Sequence, residues 1–208
     1  MLFRSVMHYG MVIDLKRCVG CQACTIACKA ENGTPPGVMY TKVLDQVSGE
    51  YPNVRKQFVP VLCNHCVNAP CVRVCPTGAS HKREDGIVLV DHDKCMGCRA
   101  CYVACPYNNR IFLKRGRLKS GYHGKQMTPY ETVKYKEHQD GIVEKCLFCS
   151  HRVDAGLKPS CVQTCPADAR IFGDLDDPNS TVSRLIRSRG GTQAMSEDGT
   201  EPSVYYLS

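Results

Sequence analysis

Sixteen cysteines fall into four quartets with none left over, and this pattern limits the 208-residue chain more than any other feature. The first quartet, CVGCQACTIAC, holds Cys18, Cys21, Cys24 and Cys28. The second, CNHCVNAPCVRVCP, holds Cys63, Cys66, Cys71 and Cys75, and the third, CMGCRACYVACP, holds Cys95, Cys98, Cys101 and Cys105. The fourth, CLFCSHRVDAGLKPSCVQTCP, holds Cys146, Cys149, Cys161 and Cys165. Quartets one and three share the spacing C-x2-C-x2-C-x3-C. Quartets two and four open on C-x2-C, run through four or eleven further residues, and close on C-x3-C-P. Odd quartets resemble each other and even quartets resemble each other, an internal repeat made of two doublets.

So many thiols serve disulfides, zinc or iron–sulfur clusters. Disulfides require an oxidising compartment. The opening stretch MLFRSVMHYGMVIDLKRC has neither the apolar core of a secretory signal nor a twin-arginine pair, so a disulfide framework is disfavoured. No run of about 18 apolar residues marks a membrane span. Zinc draws two C-x2-C knuckles from separate hairpins, and the continuous three-cysteine runs of quartets one and three are wasteful for it. A [4Fe–4S] cube takes one thiolate per iron. Three cysteines spaced by two residues wrap one cube, and a fourth, three residues on, reaches a second cube, as in the two-cluster ferredoxin run C-x2-C-x2-C-x3-C-P. The longer gaps in quartets two and four loop out without moving the ligands. Sixteen ligands then serve four cubes, a chain of redox centres.

The charge balance changes meaning on this reading. The formal charge of +7 suggests a nucleic-acid footprint only while the thiols are neutral. Sixteen thiolates and four cores of charge 2+ bring the total to −1, so the basic residues balance the cofactors and no nucleic-acid partner is expected.

Short apolar runs precede the quartets: Met11 to Ile13, Phe58 to Leu62, Ile87 to Val90, and Ile142 with Val143. They predict strands. The three residues before each closing cysteine predict single helical turns, and the first of these runs on to a stop at Gly33. Asp177 to Ser180 opens a helix over 181–189 that Gly190 and Gly191 close, and residues 204–207 predict a last strand. Residues 107–140 lack cysteine and carry Arg110, Lys114, Arg115, Arg117, Lys119, Lys125, Lys134 and Lys136, which reads as a basic loop or arm. Asp14, Asp91 and Asp93 read as turn formers. His65 and His151 read as loop residues, with an N–H directed at a cluster sulfur as the sharper alternative. No constellation of catalytic side chains stands out, so the chain is not expected to be an enzyme by itself.

At these motifs the chain resembles the four-cluster ferredoxin-type electron-transfer subunits of molybdopterin oxidoreductases, the dimethyl sulfoxide, polysulfide, thiosulfate, tetrathionate and arsenate reductases. The stretches that carry the resemblance are GMVIDLKRCVGCQACTIACKAEN, LCNHCVNAPCVRVCPTGASHKREDGIVLVD, KCMGCRACYVACPY, KCLFCSHRVDAGLKPSCVQTCP and FGDLDDPNS, in order over more than half the chain. The resemblance implies nested ligation. Cys18, Cys21, Cys24 and Cys165 share a first cluster, and Cys63, Cys66, Cys71 and Cys105 a second. Cys95, Cys98, Cys101 and Cys75 share a third, and Cys146, Cys149, Cys161 and Cys28 a fourth.

The expected fold is α+β and loop-rich, with two ferredoxin-like modules of short strands and helical turns around four [4Fe–4S] clusters. Residues 1–50 with 141–208 form one module, 51–106 the other, and 107–140 a basic insertion. The expected function is relay of single electrons between a quinone or cytochrome side and a catalytic subunit with a molybdenum bis-guanine-dinucleotide cofactor, acting on a sulfur or arsenic oxyanion. Further expected partners are a membrane-anchor subunit that handles quinone, or a cytochrome. Competing readings are the iron–sulfur subunit of a formate dehydrogenase or hydrogenase, a free polyferredoxin carrier, and a metal-stapled scaffold without a redox role. The expected place is the periplasmic side of the cytoplasmic membrane, by co-export with a signal-bearing catalytic partner; the cytoplasm is the alternative.

Overall fold

The computed structural model describes residues 7–124 and 126–208; residues 1–6 of the opening stretch and Lys125 of the basic run lie outside them. In chain order the elements are β1 (Tyr9–Asp14), α1 (Ala23–Asn32), β2 (Thr41–Ser48), β3 (Arg55–Leu62), α2 (Pro70–Arg73), β4 (Ser80–Lys82), β5 (Val88–Val90) and α3 (Ala100–Val103). There follow β6 (Arg110–Phe112), α4 (Pro129–Lys134), β7 (Val143–Lys145), α5 (Ser150–Asp154), α6 (Ser160–Gln163), β8 (Arg170–Asp174), α7 (Thr181–Arg189), β9 (Thr192–Gln193) and β10 (Val204–Leu207). Helix and strand content is mixed and the sheets are small. No described helix is long and apolar enough to cross a membrane.

The largest sheet has the order β8-β1-β10-β9 and joins the two ends of the chain. β1 pairs parallel with β10, Met11 opposite Val204, and antiparallel with β8, Met11 opposite Phe172. Alternation along β1 explains its place. Met11 and Ile13 enter the main core, while Val12 turns to the other face and meets Val182 and Leu207. α7 covers that second face. The Ser180 hydroxyl accepts the Ser183 N–H at 3.1 Å at its start, and Gly190, at φ 63°, ends it. Burying each such aliphatic side chain contributes roughly 1.5–3 kcal/mol.

Among the described residues three further sheets are antiparallel strand pairs: the hairpins β2 with β3 and β4 with β5, and β6 with β7, which are joined through the segment that carries α4. The expected strands at 11–13, 58–62, 87–90 and 142–143 all fall in or beside strands, and the four helical turns are α1, α2, α3 and α6. β3 starts earlier than expected, at Arg55, because it pairs along its full length with β2, from Thr41 opposite Leu62 to Ser48 opposite Arg55. Five of the eight β2 residues are polar, so its pattern does not mark a strand before the partner is in place.

Within 107–140, read as a loop or arm, the structure places β6 and α4. Arg110 opens β6, which pairs with β7, and is 2% exposed. α4 begins at a reciprocal cap: the Thr128 hydroxyl accepts the Glu131 N–H, and the Glu131 carboxylate accepts the Thr128 N–H at 2.7 Å. The segment is tied down by His138, whose Nε2 lies 2.8 Å from the Asn32 carbonyl at the end of α1 and whose Nδ1 lies 2.8 Å from Glu144. Charge in the sequence pointed to solvent, and Lys114, Arg115, Arg117, Lys119 and Lys136 are exposed, but Arg110, Leu113, Glu131 and Tyr135 are buried.

Candidate metal centres

The quartets are built from backbone turns before they are built from thiols. The residue before the second cysteine of every quartet has a left-handed backbone: Gly20 (φ 71°), His65 (φ 44°), Gly97 (φ 73°) and Phe148 (φ 49°). In the odd quartets Gln22 and Arg99, two residues after those glycines, repeat the turn at φ 61° and 64°. The third residue after each closing Cys of the Cys-Pro pairs does the same, in Gly78, Asn108 and Asp168. Successive turns of this kind fold the peptide around a central volume. At Gly20 a Cβ would stand 2.4 Å from the Phe58 ring, and at Gly97 it would stand 2.1 Å from the Gly141 carbonyl oxygen.

The structure brings together cysteines from distant parts of the chain. Cys18, Cys21 and Cys24 share a pocket with Cys165, lined also by Val43, Pro60 and Arg170. Cys63, Cys66 and Cys71 share another with Cys105, beside Val88, Tyr107 and Arg110. α1 packs on α6. Cys28, Cys149 and Cys161 then lie close enough for their charges to act on one another, and Cys146 is similarly close to Cys28 and Cys161. For Cys75, Cys95, Cys98 and Cys101 the visible link is the packing of α2 on α3, with Cys101 in a small core beside Cys66 and Cys71. Cys21 and Cys98 are exposed, while Cys24, Cys28, Cys63, Cys66, Cys71, Cys101, Cys146, Cys149 and Cys161 are buried. No disulfide joins any two of the sixteen. In the first two sets the sulfurs stand around a volume, the arrangement a cube requires; a tetrahedral zinc ion draws its ligands to one point.

Residues 54–119 and 111–175 match the family described as a 4Fe-4S dicluster domain, and residues 15–33 match a 4Fe-4S binding domain. The chain is 48% identical to a protein of Halobacterium salinarum provisionally named as a dimethyl sulfoxide reductase iron-sulfur subunit, over 96% of this chain and 79% of that one. It is 41% identical to the arsenate respiratory reductase iron-sulfur subunit ArrB of a Shewanella species, over 97% and 96% of the two chains. It is 43% identical to the thiosulfate reductase electron transfer subunit PhsB of Salmonella typhi, over 86% and 81%. The chain belongs to the family of iron–sulfur electron-transfer subunits of these reductases. It is a non-catalytic, ferredoxin-type protein that holds 4Fe–4S clusters.

The electrostatics of the site suit such a cofactor. Burial pushes the Cys66 thiol up to about 12 and the Cys149 thiol to about 11. Burial also raises Cys28, Cys71, Cys146 and Cys161. A thiolate at these places needs an adjoining positive charge, which iron supplies. Cys75 runs the other way. Burial would raise it, but N–H donors, Ser80 at 3.3 Å foremost, outweigh burial and hold it below the ordinary thiol range. The Ala169 N–H donates to Cys165 in the same way, at 3.3 Å, and Asn32 Nδ2 donates to Cys28 Sγ at 3.5 Å.

Several readings of single residues change. His65 lies in the loop between β3 and α2, as read, but it is fully buried there: it stacks on Phe148, and its Nδ1 accepts the Val88 N–H at 3.0 Å. Burial first, then the charges of Lys145 and Arg110, push it well below the ordinary imidazole range, so the ring is neutral and carries its proton on Nε2. That nitrogen lies toward the Cys146 carbonyl without a hydrogen bond of normal geometry. His151, read as a loop residue, instead lies within α5, where it is exposed and stands 2.9 Å from Glu31. Asp91 accepts the N–H groups of Asp93 and Lys94, a turn former as read. Asp14 accepts the Lys16 N–H at 3.1 Å and is also held by Arg189, whose hydrogen bond keeps its carboxyl below the usual carboxylate range. Sequence reasoning missed Arg170 and Lys145 and misplaced Arg110. A signal was present: Cys105-Pro-x3-Arg110-Ile-Phe and Cys165-Pro-x3-Arg170-Ile-Phe are the same phrase.

Proposed function

We propose that the chain holds four [4Fe–4S] clusters and relays single electrons between a quinone or cytochrome side and a molybdenum-containing catalytic subunit that acts on a sulfur or arsenic oxyanion. The observation that carries this reading is the pair of cysteine cavities in which Cys165 joins quartet one and Cys105 joins quartet two. Each joins three cysteines of one quartet to the last cysteine of another, which is the cross-ligation a cluster pair requires. The ligand sets are those implied by the resemblance: Cys18, Cys21, Cys24 and Cys165; Cys63, Cys66, Cys71 and Cys105; Cys95, Cys98, Cys101 and Cys75; Cys146, Cys149, Cys161 and Cys28. Two ferredoxin-like modules would be assembled this way, the first and last parts of the chain forming one of them.

A bound [4Fe–4S] cluster supplies storage for one electron at a time. The protein's part is to order the sites and shield them. Arg170 lines the pocket of Cys18, Cys21, Cys24 and Cys165 and stands 3.8 Å from Cys161. Lys145 adjoins Cys146 and its charge acts on Cys63. Arg110 lines the pocket of Cys63, Cys66, Cys71 and Cys105 on a strand packed against α3, which carries Cys101. These adjacencies support an order that follows quartets one, four, two and three. Cys21 and Cys98, both exposed, then stand near the two ends of the path, where partners would dock.

The relatives' names support a fixed subunit over a free carrier, since they include arsenate respiratory, selenate and tetrathionate reductases and a thiosulfate reductase electron transfer subunit. Placement at the periplasmic side of the membrane, carried by the catalytic partner, belongs to this proposal. Anaerobic purification of the native complex tests it. The expected result is a chain with about sixteen iron atoms, copurifying with a molybdenum subunit, whose clusters are reduced by quinol and reoxidised by an oxyanion. A colourless, folded chain, or a monomer without a partner, defeats the proposal.

A further inference from the structure

Two arginines occupy the same place in the repeat, and the ligand sets do not account for them. After Cys105-Pro and Cys165-Pro the chain turns through a left-handed residue, Asn108 or Asp168, and places Arg110 or Arg170 at the head of a strand. They are 2% and 3% exposed. Each is anchored by one hydroxyl from another segment: Arg110 Nη1 donates to Ser80 Oγ at 2.6 Å, and Arg170 Nη2 donates to Thr41 Oγ1 at 2.9 Å. Among the described residues neither pairs with a carboxylate, and Arg110 Nε and Nη2 have no hydrogen-bond partner. The guanidinium groups instead face sulfur. Arg170 Nη1 lies 3.8 Å from Cys161 Sγ.

The thiols around each arginine belong to two ligand sets. Arg170, 3.8 Å from Cys161 of one set, also lines the pocket of Cys18, Cys21, Cys24 and Cys165 of another. Arg110 lines the pocket of Cys63, Cys66, Cys71 and Cys105, and its strand β6 packs against α3, which carries Cys101 of another set. Guanidinium keeps its proton under all ordinary conditions, so these charges are fixed. An unpaired buried cation is expensive, and the anionic ligand sets on either side offset that cost.

We infer that Arg110 and Arg170 are equivalent positioning residues, each holding one desolvated positive charge between the thiolates of two clusters and raising the reduction potential of both. The inference rests on the proposed ligation of four clusters by the sixteen cysteines. Reduction adds negative charge to a site, and a fixed cation beside it favours that state; cluster potentials respond to local charge and hydrogen bonds in this way. One residue placed between two sites biases both together and keeps their potentials matched for transfer across the gap.

The test is an anaerobic redox titration followed by EPR on the iron-loaded chain in its native complex, with Arg110→Gln, Arg170→Gln and the two Arg→Lys variants. Iron per chain is counted for each, and signals are assigned from single Cys→Ser proteins. Arg170→Gln is expected to weaken reduction at least tenfold, about 59 mV for one electron, at the two clusters of quartets one and four, with less than a threefold change elsewhere. Arg110→Gln is expected to do the same at the two clusters of quartets two and three. Each lysine variant is expected to keep its iron and return both potentials to within threefold of the parent. Unmoved potentials, a shift at one cluster only, or an equal shift at all four overturns the inference while leaving the ligation intact. If the glutamine variants lose iron, the lysine variants decide. Near-native potentials support the role of charge, whereas iron loss or potentials displaced as far as tenfold show that shape alone is needed, and the inference fails. A parent protein far short of sixteen iron atoms sinks the ligation itself.

Discussion

His65 and Phe148 lie ring on ring, centroids 3.7 Å apart and planes 20° from parallel. Both stand directly before the second cysteine of an even quartet, and both have a left-handed backbone that the odd quartets reserve for glycine. Such a conformation costs a non-glycine residue about 1–3 kcal/mol, and the stacked, fully buried pair offsets it where the two even quartets meet. Phe172, from the Arg-Ile-Phe phrase, closes the stack edge-on at 5.3 Å from Phe148. Truncating Phe148→Ala should therefore destabilise the holoprotein by about 3–5 kcal/mol, seen as a lower urea midpoint for loss of the visible cluster absorbance. Phe148→Gly removes the same ring but suits the backbone, so it should be roughly 1 kcal/mol less damaging than alanine. A glycine variant weaker than the alanine variant would show that backbone strain is not stored there.

Nested ligation makes a prediction about pairs of substitutions. Cys165→Ser should remove the cluster it shares with Cys18, Cys21 and Cys24, about four of sixteen iron atoms. Adding Cys18→Ser should cost little more, because both ligands serve one site. Adding Cys161→Ser, four residues from Cys165 but in a different set, should remove a second cluster. Iron analysis with EPR of the dithionite-reduced proteins reads the outcome; additive loss from Cys165 with Cys18, and none beyond Cys165 from Cys161, reverses the assignment.

Much of this architecture is legible in the chain because ligand spacing is a local property. Cys24 and Cys28 face the same side of α1 by helical periodicity, and β1 is marked by Met11, Val12 and Ile13 without any knowledge of its partners. What stays hidden depends on contacts made across the chain. Arg110 carries the same charge as its exposed neighbours Lys114 and Arg115, and only the packing of β6 on β7 and the bond to Ser80 separate it from them. β2 has no apolar alternation until β3 lies beside it. His65 reads as a loop residue because its burial is supplied by Phe148, far along the chain. The repeated Cys-Pro-x3-Arg phrase was the one local sign that these distant contacts come in matched pairs.

His138 sets a pH dependence. Both ring nitrogens face acceptors, Glu144 at 2.8 Å and the Asn32 carbonyl at 2.8 Å, so both need a proton and the ring is held as the cation. Burial opposes that charge, but the hydrogen bond and charge of Glu144 outweigh it and raise the imidazole above its ordinary value. Tyr40 bonds the other carboxylate oxygen at 3.0 Å. A raised value means the contribution to stability is complete below the unfolded imidazole pKa, about 6.5, and fades as pH climbs through the folded one. The gap in urea midpoint between the parent and His138→Gln should be widest below that pH and narrow above it. A gap that widens toward alkaline pH contradicts the cationic ring.

Gly97 and Gly78 share a left-handed backbone, at φ 73° and 67°, but not their surroundings. A Cβ at Gly97 meets the Gly141 carbonyl oxygen at 2.1 Å, a backbone atom held by the Gly141 N–H bond to Leu113. A Cβ at Gly78 meets nothing within 4 Å. Alanine at either place bears the cost of the left-handed conformation, about 1 kcal/mol. Only at Gly97 must the turn that carries Cys95 and Cys98 also move away from β7. Gly97→Ala should accordingly lose one cluster's worth of iron and its EPR signal, while Gly78→Ala keeps the full complement and shows only a small fall in urea midpoint. Equal iron content in the two variants would mean that the Cys95–Cys98 turn tolerates displacement, and that close approach to Gly141 does not position these ligands.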